Sequence, residues 1–138
     1  MANGQETQVA ESCLYVHCYG HLLNLALQSA LSVVVNLRNC IGSVQSLYVF
    51  LEASPKRHSL LQDIQKDDGG DVVILKDQSD TRWSCRYSAV KALITSICCV
   101  VKALIQLQND HTPKVSADAR SLLPGICAFD FVFSLVVL

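Results

Sequence analysis

Apolar positions recur at helical spacing along most of this chain, in blocks separated by short polar or proline-bearing stretches. The exception comes early. Over residues 13–18 (CLYVHC), Leu14, Val16 and Cys18 alternate with Tyr15 and His17, the pattern of a short strand. Gly20 punctuates the turn that follows. A helix is then expected from His21 or Leu22 to about Asn36. Its polar residues Asn24, Gln28, Ser32 and Asn36 recur every fourth position as one narrow stripe. Everything beside that stripe is Leu, Ala or Val, so most of the circumference should be buried. The β-branched Val33, Val34 and Val35 weaken helical propensity near its end.

A second helix is expected over residues 39–53, with Ile41, Val44, Leu47 and Leu51 at helical spacing. Ser54 and Pro55 form an N-cap and first-turn pair that opens a third helix to about Lys66. Asp67, Asp68, Gly69, Gly70 and Asp71 make an acidic, glycine-rich loop, and residues 72–75 suit a short extended segment. Asp80 to Trp83 opens the longest helix, which ends near Asn109. Its apolar stripe is Tyr87, Val90, Ile94, Ile97, Val101 and Leu104, and Ser88, Lys91, Thr95, Lys102, Gln106 and Asn109 hold the other face. Ser116 caps a short helix that Pro124 and Gly125 end near Leu123. The last segment, ICAFDFVFSLVVL, is sharply apolar and should seek cover in the fold or in an oligomer. The pattern predicts a mainly α fold of five or six helices, with at most one short β-strand near the N-terminus.

Composition leaves two readings open. Of 138 residues, 51% are hydrophobic and only 17% charged, so either the interior is large for the chain length or some apolar surface expects a partner. The net charge of -1 supplies no general attraction to nucleic acid or anionic membrane, and a DNA contact would need a local basic patch. Seven cysteines is an odd number, and residues 1–12 are polar, which suits reduced thiols in an intracellular protein and a weakly ordered or disordered start. The apolar runs at 22–35 and 126–138 fall short of the roughly 20 residues a span requires, so no membrane is expected.

Three clusters carry candidate chemistry. Cys18 and His21 have the spacing of half a zinc site, which Cys13, His17 or Cys85 would have to complete. No orienting carboxylate marks them as a nucleophile and base. The plainer reading is a structural turn. Lys56, Arg57 and His58, at the start of the third helix, suit a solvated face better than an anion site. Around Asp80, Thr81, Arg82 and Trp83, the readings are a helix cap with a structural Trp, or a phosphate contact from Arg82 and Arg86 with Trp83 stacking on a base.

The stretch CYGHLLNLAL, with LYVHC before it and LQSA after it, resembles a signature of hAT-family DNA transposases. The downstream Thr81-Arg82-Trp83, its RYSAVKAL flank and the late FDFVFSL run fall in the same order as in that family. The chain is similar to transposon-derived relatives such as the MYM-type zinc-finger proteins. Leu22 stands where those relatives often carry a basic residue. The resemblance implies an RNase H-like core interrupted by an all-helical insertion. Residues 13–18 would be its edge strand and residues 21–138 the insertion, truncated at the C-terminus. Cys18, His21, Asn24 and Thr81 would be structural motif residues, and Arg82, Trp83 and Arg86 nucleic-acid contacts.

Family chemistry uses three metal-binding carboxylates, two Asp before the Cys18 motif and a Glu after Trp83. The first Asp here is Asp63, and no Glu follows Trp83. The expectation is a catalytically incomplete fragment with no cofactor, nuclear by resemblance, keeping a scaffold or nucleic-acid role. Its alternatives are a helical module that docks a protein or a second copy through the apolar C-terminal segment, and a small zinc-binding domain.

Overall fold

The computed structural model describes residues 18–78 and 82–138. The expected weakly ordered start at 1–12, all of the expected strand except Cys18, the expected Asp80 cap and Thr81 lie outside them. Among the described residues there are six helices and no strand. They are α1 (Tyr19–Val33), α2 (Val35–Glu52), α3 (Pro55–Asp67), α4 (Trp83–Leu107), α5 (Pro113–Cys127) and α6 (Phe129–Val137). The mainly α expectation therefore holds.

The core lies between α2 and α4, closed by α3, α5 and α6. Leu47, Leu51, Leu93, Val100 and Leu104 are fully buried there. The side chains that α4 buries, however, are Ala89, Val90, Ala92, Leu93, Ser96, Val100, Ala103, Leu104 and Leu107. This overturns the stripe expected from sequence. Tyr87 and Ile94 are exposed, and only Val90 and Leu104 of the six are buried. The expected stripe followed the bulkiest side chains, but neighbouring helices approach where α4 is small, at Ala89, Ala92, Ser96 and Ala103. Lys91 and Lys102 do lie on the exposed side.

α4 is also long and apolar enough, by length and composition, to cross a membrane. The two runs weighed from sequence did not include it. In this fold 44% of that apolar window is buried, on the side that meets α2, α3 and α5.

The break between α1 and α2 falls at Val34, whose extended backbone (φ -86°, ψ 104°) turns the chain through 104°. It comes within the valine run rather than at the expected 36–39. Arg38 bridges it, donating from Nη1 to the Ser32 carbonyl at 3.4 Å.

α1 reverses its expected orientation, because it buries no residue fully. Its half-buried positions are Asn24, Leu27, Gln28 and Leu31, while Leu22, Leu23 and Leu25 are exposed. Two members of the polar stripe therefore face the protein. Periodicity locates a stripe but does not say which side meets a neighbour.

Other differences are local. Gly20 lies inside the first turn of α1 rather than in a turn before it. α5 starts at Pro113, not Ser116, and continues past Pro124 to Cys127. A proline removes one amide donor, and the further turn buries Ile126. Ser116 instead donates its hydroxyl to the Gln108 carbonyl at the end of α4.

The segment after Gly69 (φ 72°), residues 70–78, carries no helix and pairs with no strand among the described residues. Glutamine side chains take a strand's place. Gln65 donates to the Val73 carbonyl at 3.1 Å and accepts from its N–H at 2.9 Å. Further along, Gln78 donates to the Ile41 carbonyl at 3.0 Å, and Gln45 donates to Asp77 at 2.8 Å.

Candidate functional site

The two motif stretches meet at one corner. The Cys18 carbonyl accepts the N–H groups of His21 (2.9 Å) and Leu22 (3.1 Å), which starts α1. One turn further on, Asn24 points at the first turn of α4. Its Oδ1 accepts the Trp83 backbone N–H at 2.7 Å. Arg82, the residue before α4, makes no side-chain cap bond, so Asn24 supplies an acceptor from another helix. A cavity of about 500 Å³ opens beside this bond, lined by Cys18, His21, Asn24, Leu27, Arg82 and Trp83 among others.

Five of the sequence-designated residues are thus brought together. Arg86 is half-buried and does not line the cavity, so Arg82 and Arg86 do not form a shared contact there. The Asn24–Trp83 bond had one sequence signal that stripe reading passed over. A polar amide inside a Leu- and Ala-rich helix must find a partner once it faces inward. Replacing Asn24 with Ala should destabilise the fold by about 0.5–2 kcal/mol, the usual range for losing a helix cap. Urea unfolding followed by circular dichroism measures it. An unchanged midpoint would show the bond to be dispensable.

Cys18 and His21 are exposed. No third ligand-type residue joins them, since no group of three metal-ligating side chains occurs among the described residues. Among the described residues no carboxylate lines the cavity. A guanidinium, an imidazole and an indole can contact an anionic, planar ligand. No family model matches the chain, and no solved structure matches it.

The basic cluster at the start of α3 is solvated only in part, since Lys56 is exposed while Arg57 and His58 are half-buried. Lys56 donates to Asp110 at 2.9 Å, and Arg57 lies over the Phe50 ring with 4.6 Å to its centroid. His58 Nδ1 meets Glu52 Oε2 at 2.7 Å, and the Gln62 amide meets His58 Nε2 at the same distance. The tautomer protonated on Nδ1 satisfies both contacts.

Thiol chemistry is disfavoured where it can be assessed. Burial pushes the Cys40 thiol up to about 11. Cys99 is also raised, by burial first and by its Asp68 contact second. Both shifts run opposite to the depression that makes a reactive thiolate. Asp68 is lowered by the Lys102 ammonium, which donates to both of its oxygens.

Asp110 carries the clearest acid response. The Lys56 ammonium, assisted by the Thr112 N–H, holds its carboxyl down to about 2. An unfolded Asp titrates near 3.9, so the folded protein favours the carboxylate. That stabilisation is present above about pH 4 and is lost as pH falls through about 2. Thermal unfolding at a series of pH values should show a smaller acid-induced loss in Asp110→Asn than in the wild type. Equal losses in the two would rule out this role.

Proposed function

We propose that this chain is a non-catalytic helical interaction module of hAT-transposase ancestry that docks a second copy of itself through α6. The apolar outer face of that helix carries the reading. Phe131, Ser134 and Leu135 turn into the core, while Phe129, Val132, Phe133, Val136 and Val137 remain exposed. Phe129 is 79% exposed and Val136 74%, and the Phe129 and Phe133 rings stack at 5.9 Å. Such a contiguous apolar face is characteristic of an interaction site. A symmetric contact between two α6 helices would cover it on both copies. The same ancestry suggests a nuclear setting.

Light scattering coupled to size exclusion tests the reading. The wild type should show a dimer at high micromolar concentration, and Phe133→Asp with Val136→Asp should be monomeric with its helical spectrum intact. A monomeric wild type, or a dimer unaffected by the double variant, would overturn the proposal.

A second reading has its own support in the corner between α1 and α4, where Arg82 and Trp83 share a cavity with His21. It assigns single-stranded nucleic acid to that corner, with Trp83 stacking on a base and Arg82 on a phosphate. Fluorescence anisotropy with a labelled oligonucleotide should give binding that weakens with salt and with Arg82→Ala. Binding indifferent to both would exclude it.

A further inference from the structure

A cleft between α2, α3 and α5 is used by neither reading above. It encloses about 610 Å³, within the roughly 300–1,000 Å³ typical of small-ligand sites. Its apolar lining comes from Val49 and Phe50 of α2 and from Val115 and Leu122 of α5. Its cations come from two helix starts. The Lys56–Asp110 ion pair ties the first turn of α3 to the segment entering α5. Arg57 and Lys114, both in first turns, border the same cleft.

Neither cation has an anionic partner among the described residues. The Arg57 guanidinium lies over Phe50, and its Nε is buried without a hydrogen-bond partner. Lys114 makes no ion pair, although Asp118 follows one turn later. Ser54 and Thr112, which precede the two helices, make no side-chain cap bonds, so the positive ends of both helix dipoles add to the field. The negative groups nearby are Asp118 on the lining, Asp110, which Lys56 and Thr112 engage, and Glu52, which His58 engages. On the cleft lining itself the two cations Arg57 and Lys114 stand against one carboxylate, Asp118, because Glu52 lies off that lining, and this leaves room for a single further negative charge beside an apolar wall.

We propose that this cleft binds a small amphipathic carboxylate. Its carboxylate meets Arg57 and Lys114, and its hydrocarbon part covers Val49, Phe50, Val115 and Leu122. The charge-assisted contacts select the head group, and the apolar wall supplies the remaining affinity.

Decanoate and its uncharged analogue decanol, kept below micelle-forming concentrations, are the probes, and amide chemical shifts of the whole chain are the readout. Decanoate should shift amides of α2 and α5 around the cleft saturably, with decanol about a hundredfold weaker, the effect of losing two charge-assisted contacts. Lys114→Ala, at an exposed position that leaves the core intact, should weaken decanoate about tenfold and leave decanol unchanged. Asp118→Asn should tighten decanoate by removing the opposing charge. Equal affinity for the two probes, shifts confined to other surfaces, or decanoate binding unaltered in Lys114→Ala would each overturn the proposal.

Discussion

Leu93→Ala should cost about 2–5 kcal/mol of stability, while Ile94→Ala, its immediate neighbour, should cost about 1 kcal/mol or less. Both residues are large, aliphatic and in the middle of α4. Leu93 is 1% exposed and belongs to the central cluster, whereas Ile94 is 43% exposed. Truncating Leu93 removes buried methyl groups and leaves a space that packed neighbours fill only in part. Truncating Ile94 removes side chain that water already reaches, and the higher helical propensity of Ala offsets part of the loss. Urea denaturation of the two variants measures the difference from their midpoints. Equal destabilisation would mean that α4 is rotated from the orientation described.

The contrast between these two residues shows where sequence reading stops. Helices were legible because their blocks end at local features such as Ser54-Pro55 and the glycine-rich loop at 67–71, whose effects need no tertiary context. Faces were less legible. α4 is apolar around much of its circumference, so several stripes fit the same spacing. The one in use is set by how closely α2, α3 and α5 approach its small residues. α1 shows the same limit in reverse. Its Asn24 and Gln28 looked like a solvent stripe because the partner that makes an inward Asn acceptable, the Trp83 N–H, lies far along the chain.

The corner was half legible for the same reason. Motif order named Cys18, His21, Asn24, Arg82 and Trp83, but their convergence depends on α1 crossing the start of α4. The residues around the second cleft were legible only in fragments. Lys56, Arg57 and His58 read as one basic cluster, yet successive helical residues point about 100° apart. Each therefore found a different neighbour in Asp110, Phe50 and Glu52. Lys114, which completes the cation pair beside the cleft, lay before Ser116, the expected start of its helix, whereas Pro113 opens α5.

Gln65→Leu should destabilise the protein by about 1–3 kcal/mol although it replaces a buried polar residue with an apolar one of similar size. Gln65 is 3% exposed, a position where a hydrophobic side chain would ordinarily be welcome. Its amide, however, holds both backbone groups of Val73, the N–H at 2.9 Å and the carbonyl at 3.1 Å. No strand among the described residues pairs with that segment, so the substitution leaves a half-buried donor and acceptor without their partner. The consequence reaches the core, because the same segment seats Leu75, which is 6% exposed, against the α2–α4 cluster. Gln65→Glu separates the two bonds, since a carboxylate accepts from the Val73 N–H but cannot donate to its carbonyl at neutral pH. Amide exchange at Val73 is the direct readout. It should accelerate strongly in Gln65→Leu and remain slower in Gln65→Glu, with the urea midpoint of Gln65→Leu shifted downward. A Leu variant as stable as the wild type, with Val73 still protected, would show that the segment is held by Leu75 and Gln78 without help from Gln65.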